Sequence, residues 1–228
     1  MINHISHKET FRYLGIPQDE ADQNICDCIN KCEKLLLSKI NPKYTYKLFE
    51  LEKRDNKLFA GDIELKGNDI SNHLDNCHHV IFFAATLSIE ADKIIQSFMM
   101  RDKMTEAIVM DSLANTAIEQ VCDKAQYEIK KHIIEINNNN NKLYFTWRYS
   151  PGYGDLPLDL NHSISAVLNT AKIIGLTITE SSLLNPLKSV TALIGISSEP
   201  LPVQRTGCAF CNLRDTCKYR LSGKDCGK

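Results

Sequence analysis

Residues Val80 to Leu87 form a near-continuous apolar run with no period-two alternation. A strand of that composition is covered on both faces, and it commits the chain to a layered fold with strands beside it and further elements above and below. The neighbours can be read nearby. Tyr44–Leu51 alternates like a strand, and Gly61-Asp62 separates Leu58–Ala60 from Ile63–Leu65 as in a hairpin. Leu143–Trp147, Leu176–Thr179 and Val190–Ile196 are also strand-like.

Helical spacing fills the intervals. Ile25, Cys28 or Ile29, Cys32, Leu36 and Ile40 recur at three or four residues, which predicts a helix over Asp19–Ile40 that Asn41-Pro42 stops. Asn68 or Asp69 is suited to cap a short helix to about Asn76, and Ser88 to cap one over 89–100. A long helix over 104–135 should bury Ile108, Leu113, Ala117, Val121, Ala125 and Ile129 on one face. Another runs from Asp159 to Ile174 and closes on Gly175. Asn137–Asn141 reads as a surface loop, and no internal repeat is visible. The architecture expected is α+β: a twisted, largely antiparallel sheet with long helices packed against it. One domain should cover 1–200, with a cysteine-rich tail or small metal-binding subdomain over 201–228.

The formal net charge of -1 provides no global field toward nucleic acid or anionic lipid. A zinc-ribbon nucleic-acid module is disfavoured for the same reason, since basic and aromatic residues do not interleave. No apolar stretch is long enough to span a bilayer, and the polar start Ile2-Asn3-His4 is no signal peptide. The expected location is cytoplasmic. Cys26, Cys28, Cys32, Cys77 and Cys122 sit in apolar-patterned segments and read as core residues. His73 and Cys77 share a spacing that zinc can use, but local packing accounts for it.

Arg148-Tyr149-Ser150-Pro151-Gly152-Tyr153-Gly154-Asp155-Leu156-Pro157 is the most informative segment. Prolines fix its torsions and glycines permit close approaches. Arg148 offers a planar fork for a carboxylate, and Tyr153 an apolar face with a hydroxyl. Arginine, backbone amides and an aromatic ring suit a small zwitterion carrying a flat heterocycle. A rigid surface turn explains the same residues on chemistry alone.

The segment resembles the Arg-Pro-Ala-Pro-Gly-Tyr-Pro run of the activation domain of cobalamin-dependent methionine synthase. The resemblance continues through Ile174-Gly175-Leu176-Thr177-Ile178-Thr179-Glu180-Ser181, then Pro186 and Lys188-Ser189-Val190-Thr191-Ala192. Upstream, Leu113-Ala114-Asn115-Thr116-Ala117-Ile118-Glu119 is similar to the family's long-helix segment. What it implies is a stand-alone, clostridial-type relative that binds S-adenosylmethionine through Glu119, Arg148, Ser150, Gly152 and Tyr153. Such a module supports reductive methylation of cobalamin held by a partner, either a corrinoid protein or methionine synthase subunits, and an electron donor completes the system. No catalytic side chain is implied, and the module should be inactive alone. The chain departs from the family in reading Ser197-Ser198-Glu199-Pro200 where a tyrosine pair stands, and in lacking a clear match to an N-terminal aspartate contact.

Cys208-x2-Cys211-x5-Cys217-x8-Cys226 gathers four thiols beside Arg214, Lys218, Arg220 and Lys224. The leading pair is a bite for an iron–sulfur cluster or zinc. A second reading follows, in which the chain is an electron-transfer or adaptor protein and the activation-like core is only its scaffold.

Overall fold

The computed structural model describes residues 2–137, 142–202, 215, 218–221 and 223. In chain order the elements begin with α1 (His7–Leu14), α2 (Gln23–Lys39), β1 (Lys43–Arg54), β2 (Lys57–Ala60), β3 (Ile63–Leu65) and α3 (Asn68–His73). They continue with β4 (His79–Thr86), α4 (Ile89–Met99), α5 (Met104–Ile136), β5 (Tyr144–Phe145) and α6 (Leu160–Leu168). The last are α7 (Thr170–Ile173), β6 (Thr177–Ile178), β7 (Leu184–Asn185), β8 (Ser189–Ser197) and α8 (Lys218–Leu221). Among the described residues no helix is long and apolar enough to cross a membrane.

The chain divides into two compact units that interleave in sequence. One comprises Met1–Ile40, Glu90–Gln120 and Val203–Lys228, the other Asn41–Ile89 and Val121–Pro202. Helix α5 therefore contributes its first half to one unit and its second half to the other.

The first unit is helical. The sequence reading missed α1, which Ser6 caps by accepting a hydrogen bond from the Glu9 amide and which ends on Gly15 at φ 68°. Helix α2 begins later than the periodicity implied, because the Asp22 carboxylate accepts from the Ile25 amide at 2.8 Å and sets the N-cap there. Its buried stripe is Ile29, Cys32 and Leu36. In α5 the buried stripe of this unit runs through Ala107, Met110, Leu113, Ala114 and Ala117, whereas Ile108 is 56% exposed. Ile108 lies five residues before Leu113, a step that leaves the stripe.

The second unit is a six-stranded sheet in the order β3-β2-β1-β4-β8-β5, with every adjacent pair antiparallel. Strand β4 is central, as its composition required. Val80, Phe82 and Ala84 face one way, into a cluster with Ile70, Leu74, Leu156, Leu160, Ile164 and Leu168. Ile81, Phe83 and Ala85 face the other way and are also fully buried. On that side β1 reaches α5, with the Tyr44 hydroxyl donating to Glu128 at 2.8 Å and the Tyr46 hydroxyl 2.6 Å from His132 Nδ1.

Two turns carry the local chemistry of the sheet. Asp55 and Asn56 both have positive φ, 49° and 61°, and join β1 to β2 as a two-residue hairpin loop beside the expected one at Gly61. The helix expected over 159–174 is broken in two, because Asn169 sits at φ 50° and ψ 45°. Asparagine tolerates that left-handed conformation. Thr170 holds the break closed by donating to the Leu176 carbonyl at 2.7 Å.

Candidate functional site

The Arg148–Pro157 loop is tied to the second unit at both ends. At its start, Tyr149 exchanges both backbone hydrogen bonds with Leu193 of β8, at 2.9 and 2.8 Å. Just before it, the Thr146 hydroxyl accepts from the Gly195 amide at 2.8 Å. Gly195 has to be glycine, since a Cβ there would sit 2.6 Å from Cys77 Sγ and 2.8 Å from Leu74 Cδ2. At the far end Leu156 is buried in the core cluster.

Between these anchors the chain folds on itself. The Gly152 amide donates to the Leu156 carbonyl, the Tyr153 amide to Ser150 and the Leu156 amide to Tyr153, at 2.9 to 3.1 Å. The Gly152 and Tyr153 amides, expected to face a ligand, are spent inside the turn. The loop's side chains and its remaining backbone groups are what is left to face a ligand. Tyr153 presents a ring that is 64% exposed, and Ser150 is half-buried beside it. Gly152 is exposed at φ 90°, and a Cβ there would meet Leu158 Cδ1 at 3.1 Å.

Asp155 locks the loop in place. Its carboxylate accepts from the amides of Asn68 at 2.6 Å and Asp69 at 3.0 Å, and its own amide donates to Asp69 at 3.3 Å. Helix α3 is thus capped by a residue of the loop, not by its own Asn68 or Asp69, and Gly67 takes the N-cap position. A Cβ on Gly67 would collide with the Asp155 carboxylate, and one on Gly154 with that of Asp69. His73, at the end of α3, lies against Trp147 and Tyr149, with ring centroids 4.6 and 4.8 Å away. Burial pushes the His73 imidazole down to about 4, against the opposing effect of the Trp147 carbonyl, which Nε2 meets at 3.0 Å. The helical spacing of His73 and Cys77 is not realised, since α3 ends at His73. Burial raises the Cys77 thiol to about 11, which suits a packing role.

Arg148 points back to α5. One terminal nitrogen pairs with Asp123 at 2.8 Å and the other donates to Gln126 at 2.9 Å. Its side chain is 17% exposed, that of Asp123 72%. Arg148 in turn helps burial to depress the Lys130 ammonium. Glu119 belongs to the first unit, where it adds to burial in raising the Tyr13 hydroxyl. The loop carries Arg148, Ser150, Gly152 and Tyr153, with the Arg148 side chain turned to α5, while Glu119 falls in the other unit. Sequence reasoning missed Asp155, Asp123 and Gln126, of which only Asp155 stood in the segment singled out; it named Asp69 as a cap of its own helix and His73 as a packing residue, but linked neither to the loop. Cys208, Cys211, Cys217 and Cys226 lie outside the described residues. Cys32 and Cys122 are buried, and Cys26, Cys28 and Cys77 are half-buried.

No curated protein matches this chain. Its fold is similar to that of a solved structure described as the MetH reactivation domain bound to AdoHcy, with a TM-score of 0.63 and 16% identity. That alignment covers 97% of this chain and 82% of the other. Residues 45–200 match the family described as vitamin B12 dependent methionine synthase, activation domain, a span that takes in the central sheet and the Arg148–Pro157 loop. The chain belongs to that family.

Proposed function

We propose that this protein binds S-adenosylmethionine and supports the reductive methylation of cobalamin on a partner methyltransferase such as methionine synthase. The observation that carries the reading is the family match across residues 45–200, together with a fold shared with a domain whose structure holds AdoHcy, the demethylated product of that ligand. The Arg148–Pro157 loop fits the role. It is fixed at both ends, offers an exposed aromatic ring for a flat heterocycle and has a guanidinium at its base. Arg148, Ser150, Gly152 and Tyr153 are the contacts we assign within the second unit.

In this reading the protein contributes position. It would hold the sulfonium of S-adenosylmethionine in position, and the partner's reduced cobalamin would supply the nucleophile for the methyl group. No side chain of this chain need take or give a proton. The electrons come from a separate donor, and the four tail cysteines hold an iron–sulfur cluster or zinc in this reading.

Calorimetric titration with S-adenosylmethionine and AdoHcy tests the binding step. A charge-assisted hydrogen bond contributes about 1.5–3 kcal/mol, so Arg148→Ala should weaken affinity about 10- to 150-fold. Arg148→Lys should restore only part of it, because lysine lacks the two-point fork. Equal binding by wild type and Arg148→Ala removes the loop from the site. With a cobalamin protein and a strong reductant, wild type should speed methylcobalamin formation from S-adenosylmethionine, and alone it should turn over nothing.

A further inference from the structure

The N-terminal segment and α2 build a second polar cluster, wholly within the first unit and ahead of the segment that matches the family. His4 Nδ1 lies 2.8 Å from one carboxylate oxygen of Glu33, and His7 Nε2 lies 2.7 Å from the other. The three ligand atoms that these residues offer all fall within 4.8 Å of one another. The two rings stand 5.3 Å apart and tilted by 54°, so they converge on the carboxylate from different directions.

The cluster is held by groups that are not themselves ligands. The Ile5 amide donates to Glu33 at 2.7 Å, and the Ile5 side chain is fully buried. Gln120 clamps the backbone between the two histidines, accepting from the Ser6 amide at 2.9 Å and donating to the His4 carbonyl at 3.2 Å. Thr10 adds a bond to the Ser6 carbonyl at 2.9 Å. Outer partners that fix ligating groups in this way are what a metal site requires.

We propose that His4, His7 and Glu33 form a three-ligand site for a divalent first-row transition ion, with zinc the best match, independent of the S-adenosylmethionine reading. Two imidazoles and one carboxylate suit zinc and its neighbours, while calcium and magnesium prefer oxygen donors alone. Three protein ligands leave a coordination position open to water or a further ligand. Binding costs each neutral ring no net proton. The nitrogen now facing Glu33 presents its lone pair to the ion, and the ring proton moves to His4 Nε2 or His7 Nδ1. His4, 69% exposed, gives the ion a path from solvent.

Cobalt(II) titration of the untagged full chain tests this, in wild type and with Cys208, Cys211, Cys217 and Cys226 all replaced by serine. The four-serine chain should bind one equivalent, with weak visible ligand-field bands and no thiolate-to-cobalt charge transfer in the near ultraviolet. Zinc should then displace the cobalt and raise the melting temperature. His4→Ala, His7→Ala and Glu33→Gln should each weaken zinc binding by more than about 100-fold, the upper end of what loss of an outer partner costs. If the buried-side variants fail to fold, His4→Ala decides alone, because that side chain is mostly in solvent. Should the four-serine chain misfold, the wild-type spectrum decides by whether a ligand-field signal without sulfur character is present. No cobalt uptake by a folded four-serine chain overturns the site, and so does undiminished binding by His4→Ala.

Discussion

Arg148 shows how a residue picked out by its chemistry can be engaged before any ligand arrives. Its guanidinium holds Asp123 and Gln126, so a ligand carboxylate has to displace or share the Asp123 contact. Asp123 is 72% exposed, so solvent screens the pair although Arg148 is largely buried, and a screened pair contributes about 0.2–1 kcal/mol. Asp123→Asn should therefore tighten S-adenosylmethionine binding up to about fivefold in the same calorimetric titration, and weaker binding would mean that Asp123 positions Arg148 rather than competing for it. His73 makes a prediction about pH. Its Nε2 must carry the proton to donate to Trp147, and its buried Nδ1 has no hydrogen-bond partner among the described residues. Burial lowers the imidazole from 6.5 to about 4, so the unfolded chain takes up this proton first as pH falls. The His73 contribution is full above about pH 6.5 and is lost progressively toward pH 4, with a slope of at most about 1.4 kcal/mol per pH unit for one proton. Melting temperatures measured across that window should fall less steeply in His73→Gln. Arg148 and Tyr153 were legible in the sequence because guanidinium and phenol declare their chemistry by type. Asp123 and Gln126 were not, because they lie a helix away and no local rule links them to the loop.

At the scale of elements, local signals located structure well and placed its ends poorly. The Val80–Leu87 run is the central strand, and Leu58–Ala60 with Ile63–Leu65 is a hairpin, because composition and a turn dipeptide fix both. Helix α1 escaped notice for lack of a long apolar stripe, and the break at Asn169 because asparagine also fits inside a helix. The cap of α3 was beyond any local reading, since Asp155 lies 86 and 87 positions from the amides it receives. That cap joins loop and helix energetically. Asp155→Ala should cost about 0.5–2 kcal/mol in urea unfolding, with an unchanged slope, and should weaken S-adenosylmethionine binding as the loop loosens. Asp155→Asn, which retains an acceptor, should lose less on both counts. A stability loss with unaltered affinity would separate the loop from ligand binding.

The α+β class was readable for the whole molecule because alternation and helical spacing each occur in long, unmixed stretches. The two interleaved units were not, since nothing in the sequence of α5 marks the passage between Gln120 and Val121. Protein purified without oxygen should carry iron and sulfide, or zinc, at a stoichiometry that Cys208→Ser with Cys211→Ser reduces, and a content near zero in wild type would leave the tail without its metal role. One consequence of the sheet order concerns the ribosome. Strand β4 finds β1 soon after it is made, but its other partner is far off, with Thr86 and Ser189 separated by 103 positions. At about 5–20 residues per second, β8 emerges roughly 5–20 s after β4. Throughout that interval the nascent chain holds its most apolar strand with one edge open, the condition in which a sheet pairs with a stranger. The family fold is therefore most vulnerable not when it unfolds but while it is being made.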